Sequence, residues 1–327
     1  MAVHGETVAT LGDIAKRLDA NGKIDKIVEM LTQTNEVLED MLYREGNLPT
    51  GHKSTIRVGL PSAAWRLLNY GVPQSKSKTQ QITDTCGMLE AYAEVDKALA
   101  DLNGNTSAFR LSEDQAFIES MNQEMAHTLF YGDTGKNPER FLGLAPRFSS
   151  LDKAKAATAE NIIDAGGTGA DLTSIWLPSW GDQTAFGIYP KGSSAGFQHS
   201  DLGQVTLRDA SGGQYEGYRT HYKWDIGLCV RDWRYVVRIC NINLATITDE
   251  DLIKFMIMAS ERLPDQRLGR PVFYMRKETR TRLRLAKLDK GNVRLTFDNV
   301  EGRKVLAFDE IPVRRCDAIS LKEAKVS

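Results

Sequence analysis

Four cysteines in 327 residues, Cys86, Cys229, Cys240 and Cys316, lie far apart and include no Cys-x-x-Cys pair. That spacing excludes a dense disulfide framework and a thiolate zinc site; half-buried thiols in a reducing cytoplasm are expected. Net charge is also nearly absent. Lys and Arg number 42 against 43 Asp and Glu, so the molecule as a whole exerts no long-range pull on nucleic acid or anionic membrane. No apolar run approaches the roughly 20 residues that a membrane-spanning helix needs. The stretch Met1–Glu6 lacks the basic region and following apolar run of a secretory signal, so none is expected. Fixed-period repeats and low-complexity blocks are missing as well. What is present, 41% hydrophobic residues, suffices for one large domain or two ordinary ones with a real core.

The chemistry of catalysis is equally thin. The five histidines, His4, His52, His127, His199 and His221, include no pair at helical i, i+4 spacing, and His127 reads as a structural histidine inside a helix. Gly166-Gly167-Thr168-Gly169 lacks the Gly-Lys-Ser/Thr that brings a nucleotide loop to phosphate and magnesium. Ser194 stands at the centre of Gly192-Ser193-Ser194-Ala195-Gly196, but no strand-turn-helix pattern surrounds it, so a loop is expected rather than a nucleophile elbow. Asp249-Glu250-Asp251 is explained by the dipole of a helix that starts there. No catalytic, cofactor-binding or metal-binding residue is assigned.

Periodicity places the elements. Lys23 to Tyr43 reads as an amphipathic helix, with Ile24, Ile27, Val28, Leu31, Leu38 and Leu42 at helical spacing. Cys86 to Leu102 shows helical spacing through Leu89, Tyr92, Val95 and Leu99. Ser112 to Tyr131 has a capping box from Ser112 and Gln115, a face of Phe117, Met121, Met125 and Leu129, and a stop at Gly132. Ala185–Tyr189 reads as a short strand and Gly192 to Gly213 as loops. Tyr218 to Val230 alternates: Tyr218, Thr220, Tyr222, Trp224, Ile226, Leu228 and Val230 face one way, with charged residues facing the other. Asp232 to Ile242 is expected to follow as a second long strand. Thr248 caps a helix ended by Pro264. Beyond it come a helical turn from Lys277 to Ala286 and strands near Val293 to Phe297 and Val305 to Val313.

Thr50 to Thr85 breaks the usual order of polar and apolar residues. Strand-like alternation through Ile56, Val58 and Leu60 leads to an apolar cluster of Ala63, Ala64, Trp65, Leu67, Leu68 and Tyr70, and a wholly polar return runs from Pro73 to Gln81. Apolar residues at the turn with polar flanks are backwards for a hairpin that folds onto its own core. They suit a projecting arm that buries its tip on another molecule. Ile56, Arg57, Val58, Leu60, Trp65, Leu68 and Tyr70 are the expected contact residues. A second candidate surface is basic. Between Arg262 and Arg315 stand 15 Lys and Arg against 7 Asp and Glu, with Arg276, Lys277, Arg280, Arg282 and Arg284 crowded together. These suit nonspecific phosphate contact or, with no aromatic stacking platform between them, contacts with other subunits.

The series in order resembles the tailed-phage major capsid proteins of the Hong Kong 97-like fold. The carriers are the amphipathic N-terminal segment, the projecting hairpin, a long helix ending in Leu129-Phe130-Tyr131-Gly132-Asp133, and Asn137-Pro138-Glu139-Arg140-Phe141-Leu142-Gly143-Leu144. Later, Val272-Phe273-Tyr274-Met275-Arg276 and Ile311-Pro312-Val313 resemble a second common stretch. The resemblance covers most of residues 24–319. It implies an α+β subunit with an N-terminal arm and helix (1–46), an extended loop (47–88), a spine helix and first part of a peripheral domain (89–150), a β-rich completion of that domain (151–247) and an axial domain (248–327). It further implies a structural shell protein, not an enzyme, that assembles with many copies of itself into pentamers and hexamers around double-stranded DNA in the bacterial cytoplasm, with no membrane partner. The long strands precede the Pro-Val element instead of following it, so a rearranged connectivity like that of some short-tailed phages is expected. The chain has no built-in N-terminal coiled coil, which leaves scaffolding to a separate protein; a cement protein and a portal are further expected partners. The rival readings are a soluble enzyme with a scattered active site and a nonspecific nucleic-acid-binding protein.

Overall fold

A computed structural model describes residues 33–102, 106–209, 211–290, 295–300 and 303–327. The amphipathic helix expected from Lys23 to Tyr43 falls partly outside these residues. In the described part, only α1 (Val37–Asp40) is helical, and it is followed by the short strand β1 (Tyr43–Glu45). Val37 and Met41 are nevertheless buried in the main core, as their apolar character requires.

The defining element is a single long strand. β2 (Gly51–Gly59) pairs antiparallel with β3 (Lys78–Asp96), whose 19 residues span about 60 Å at the rise of an extended chain. The first part of β3, Lys78 to Thr85, pairs only with β2 and forms the arm. The second part, Cys86 to Asp96, pairs with the body. Arm and body therefore share one continuous strand, which crosses the expected boundary at residues 88 and 89.

This corrects the helix expected from Cys86 to Leu102, of which only α2 (Lys97–Ala100) is helical. The reason is visible in the pleat. Leu89, Ala91, Ala93 and Val95 face inward, and Met88, Glu90, Tyr92 and Glu94 face outward. Two inward alanines hide the period of two, because small residues carry little hydrophobic signal.

The spine helix α3 (Thr106–Tyr131) has 26 residues and is about 39 Å long. It starts at Thr106, ahead of the expected capping box. Ser112 lies inside it and its hydroxyl donates to Phe109 O at 2.8 Å. The expected stop holds: a Cβ on Gly132 would lie 2.3 Å from Phe141 O. A short helix, α4 (Leu144–Arg147), follows.

The body sheet is built around β5 (Thr173–Trp180), which follows β4 (Ile162–Asp164); every residue of β5 is buried. Such two-sided burial gives the near-continuous apolar run that defeats a period-of-two reading. Its pleat feeds two cores. Trp176 and Trp180 join Met125, Leu129 and Phe130 of the spine helix. Ile175 and Leu177 face the opposite core. β6 (Ala185–Tyr189) lies where the sequence places it. β7 (Gln198–Arg208) occupies a stretch expected to be loop, as an edge strand on β8 (Gln214–Val230), with Gly203 at φ 69° beside the register shift between Asp201 and Gln204. β8 has 17 residues and alternates as expected, with Tyr222 and Trp224 packed toward the spine helix and Ile226, Leu228 and Val230 in the main core.

β9 (Val236–Ile242) is shorter than expected. A 3-10 turn at Trp233–Tyr235 precedes it, and all seven of its residues are buried, Arg238 included. Helix α5 (Asp249–Glu261) starts as predicted, with the Asp251 N–H donating to Thr248 Oγ1 at 3.1 Å. Its Leu252, Met256 and Ala259 fill the core under Ile175 and Leu177. After β10 (Arg270–Pro271) and β11 (Phe273–Met275) come α6 (Lys277–Lys290), β12 (Leu295–Val300), β13 (Arg303–Phe308) and β14 (Ile311–Arg315). The remaining residues return to the body as a strap, where Leu172 bridges Glu323 and the Asn241 side chain clamps the backbone of Val326.

Candidate assembly surface

The arm tip is open to solvent. Trp65 exposes 104% of its reference area, and Leu60 and Leu68 expose 82% and 86%. Val58, Leu67, Tyr70 and Val72 are each more than half exposed. Apolar side chains gathered at one exposed place mark an interaction site, because each would gain about 1.5–3 kcal/mol on full burial. Of the seven expected contact residues, Arg57, Val58, Leu60, Trp65, Leu68 and Tyr70 are exposed, and Ile56 is half-buried in β2. Leu67 and Val72 belong to the same stretch of exposed apolar residues, with Val72 immediately before the polar return at Pro73.

Local bonds shape the tip. The Tyr70 N–H donates to Leu67 O at 3.2 Å, with Asn69 in the left-handed region at φ 69°. Asparagine tolerates that conformation better than most residues. The Ser75 hydroxyl donates to Ser62 O at 2.8 Å and joins the outgoing and returning limbs.

The base of the arm is fixed by buried polar groups. Arg147 Nη2 donates to Asp84 Oδ1 at 2.7 Å, with the two side chains 13% and 3% exposed. The same nitrogen reaches Leu142 O and Leu228 O. One guanidinium thus joins the arm strand β3, the segment after the spine helix, and β8. Beneath it, Ser54 and Cys229 are buried, and burial with the neighbouring Asp84 pushes the Cys229 thiol up to about 12. His52 lies edge-on to Phe186 at 5.6 Å, and burial and Arg231 lower its pKa. A Cβ on Gly51 would lie 2.0 Å from Asp84 O, so only glycine lets the two arm strands meet there. On the open edge of β2, Asn47 Nδ2 donates to Lys53 O and the Lys53 N–H donates to Asn47 Oδ1, both at 2.7 Å. The side-chain amide satisfies backbone groups that an edge strand would leave free.

The basic candidates do not form one surface. Arg276 donates through Nη1 to Asp317 O and Ile319 O and pairs with Glu278 at 3.1 Å. Arg282 pairs with Asp249 at 2.6 Å and donates to Leu244 O and Ile247 O, tying α6 to the start of α5. Arg280 is half-buried, and burial lowers its pKa. Only Lys277 and Arg284 of the five are exposed. Two guanidinium groups that look free in the sequence are therefore spent on the chain's own carbonyls.

The polar residues that matter most to the body are ones the sequence does not single out. Arg238 and Glu323 are 4% and 5% exposed at their side chains and 2.8 Å apart. Arg147 and Asp84 are similarly remote in sequence. Long separation and the lack of a local pattern hide both pairs. Among the described residues, no group of His, Cys, Asp and Glu could hold a metal ion, and no helix is long and apolar enough to cross a membrane.

A family model described as major capsid protein GP7 matches residues 19–327. A chain in the near-atomic cryo-EM structure of bacteriophage Epsilon15 is 36% identical and superposes with a TM-score of 0.78, covering 100% of this chain and 99% of that one. A chain of the bacteriophage JBD30 capsid is 10% identical with a TM-score of 0.52, over 89% of this chain and 93% of that one, and speaks to fold alone. No curated protein sequence matches.

Proposed function

We propose that this chain, which belongs to the major capsid protein GP7 family, closes its shell by burying the tip of the β2–β3 arm on a neighbouring copy. The chain is a structural protein of a tailed-phage capsid, with the Hong Kong 97-like fold, and not an enzyme. Many copies of it self-assemble into an icosahedral shell. The observation that carries the arm reading is Trp65, whose side chain lies wholly in solvent at the end of an arm with a rigidly bonded base.

Tryptophan, tyrosine and arginine are the usual anchors of protein interfaces, and the arm presents Arg57, Trp65 and Tyr70 beside Val58, Leu60 and Leu68. Ile56, half-buried within β2, would position these residues. The copies would form pentamers and hexamers around double-stranded DNA in the bacterial cytoplasm, with a portal, a cement protein and a separate scaffolding protein as further partners. With Arg276 and Arg282 bonded internally, nonspecific contact with DNA or with another subunit would fall to Lys277 and Arg284.

Trp65→Ala tests the arm. Loss of one interface anchor costs about 2 kcal/mol or more per contact, roughly thirtyfold in each association constant, and a shell repeats that contact in every copy. The variant subunit should melt like wild type yet sediment only as small species. Closed shells at wild-type yield would defeat the arm reading.

A further inference from the structure

A groove of about 220 Å³ opens beside the root of the arm, between β3, the spine helix α3 and the segment after that helix. Met88 and Leu89 of β3, Met125 of α3 and Phe141 line it. Met88 is 71% exposed, whereas Met125 and Phe141 are buried beneath. The volume takes one large side chain and falls short of the roughly 300–1,000 Å³ usual for a small-molecule site. The thioethers of Met88 and Met125 suit an aromatic ring, because polarizable sulfur makes favourable contacts with aromatic edges. Two carboxylates adjoin these apolar groups. Glu124 is held by Arg140 at 2.8 Å. Glu139 is exposed and makes no ion pair among the described residues.

The arm is complementary to this groove in both shape and charge. From Gly46 to Thr83 the chain has five cations, Lys53, Arg57, Arg66, Lys76 and Lys78, and no Asp or Glu. All five are exposed. The whole chain carries −1, so the rest of the molecule carries −6. A cationic arm and an anionic body in one chain are matched for association between copies. At the tip, the fully exposed Trp65 stands next to Arg66, which makes no ion pair among the described residues. A copy does not fill its own groove. Eight residues of extended strand, Lys78 to Thr85, put about 26 Å between the tip and the root.

We propose that the root groove receives the arm tip of a second copy, with Trp65 against Met88, Met125 and Phe141 and with Arg66 paired to Glu139. This rests on the arm reading above and adds the receiving site. The contact runs from the tip of one copy to the root of the next, so it is heterologous and repeats around a closed ring.

Charge reversal on the full-length chain tests the site. Arg66, Glu139 and Met88 are exposed, so their variants should melt like wild type. Arg66→Glu or Glu139→Arg alone should lower the yield of closed shells about tenfold, since each sets like charges face to face. The double variant Arg66→Glu, Glu139→Arg restores opposite charges and should recover most of that yield. Met88→Asp puts a carboxylate in the groove and should block shells as Trp65→Ala does. A double variant no better than the worse single variant, or Met88→Asp shells at wild-type yield, overturns the groove. If Trp65→Ala still stops assembly in that case, the tip is buried elsewhere on the neighbour and the arm reading stands. If Trp65→Ala assembles normally, the arm reading falls and the groove falls with it. Should a reversal variant melt early, the pair Arg66→Cys, Glu139→Cys replaces it. Mild oxidation of its shells must then link subunits covalently, and monomers alone overturn the inference.

Discussion

Glu323→Ala is expected to destabilise the unassembled subunit by about 3–5 kcal/mol, the usual cost of leaving a buried charge without its partner. The carboxylate stands at the centre of a closed network. Arg238 Nη2 donates to Glu323 Oε2 at 2.8 Å, the Ser174 hydroxyl donates to the same oxygen, and the Tyr131 hydroxyl donates to Oε1 at 2.5 Å. Arg238 also donates to Phe148 O at 2.7 Å and lies 4.9 Å over the Trp176 ring. Burial first and Glu323 second hold the Tyr131 phenol well above its ordinary pKa, so it stays a donor. Removing the carboxylate leaves the buried Arg238 guanidinium without a counter-charge and takes an acceptor from the Ser174 and Tyr131 hydroxyls, and it removes the side-chain link between the strap and β5. Glu323→Gln should cost less, because it keeps an acceptor while losing the charge. Urea denaturation of the subunit measures both. A loss below about 1 kcal/mol for Glu323→Ala, as for an exposed pair, would show that the network is not closed.

Arg147→Leu should act on the arm through a different route, at a cost of about 3 kcal/mol. Leucine fills part of the space, but Asp84 is left as a buried carboxylate with no cation, and Leu142 O and Leu228 O lose a donor. The loss should be focused at the arm's root. Amide exchange in β2 and in Lys78 to Thr85 should accelerate more than exchange in β5, and assembly should weaken although no tip residue has changed. The double variant Arg147→Leu, Asp84→Leu should regain much of the stability, since removing both charges avoids the buried orphan. If the double variant is as unstable as Arg147→Leu, the damage comes from lost packing and not from the ion pair.

How far the sequence reveals this molecule depends on whether the deciding contacts are local. The arm is legible because its order of polar, apolar and polar residues is wrong for inward folding at any register. The start of α5 is legible because Thr248 and Asp251 bond across three residues. β6 is legible as a short, largely apolar run, and β8 because aromatic and apolar residues alternate with charged ones along its middle. The inner part of β3 is not, because Ala91 and Ala93 face inward and Leu89, Tyr92 and Val95 mimic helical spacing. β7 is not, because the glycines and serines on either side of it make the whole stretch from Gly192 to Gly213 read as loop, whereas its own eleven residues hold one of each and pair with β8. The roles of Arg276 and Arg282 depend on carbonyls distant in sequence, so arginine count alone misreads them as free charge.

Oxidative footprinting of Trp65 in unassembled subunits and in purified shells tests the central claim most directly. Trp176 and Trp180 are 0% and 2% exposed within the subunit and serve as internal standards that should be protected in both states. The arm account predicts rapid modification of Trp65 in the free subunit and several-fold protection in the shell. Equal modification of Trp65 in both states would contradict it, since the tip would then remain in solvent after the shell had closed.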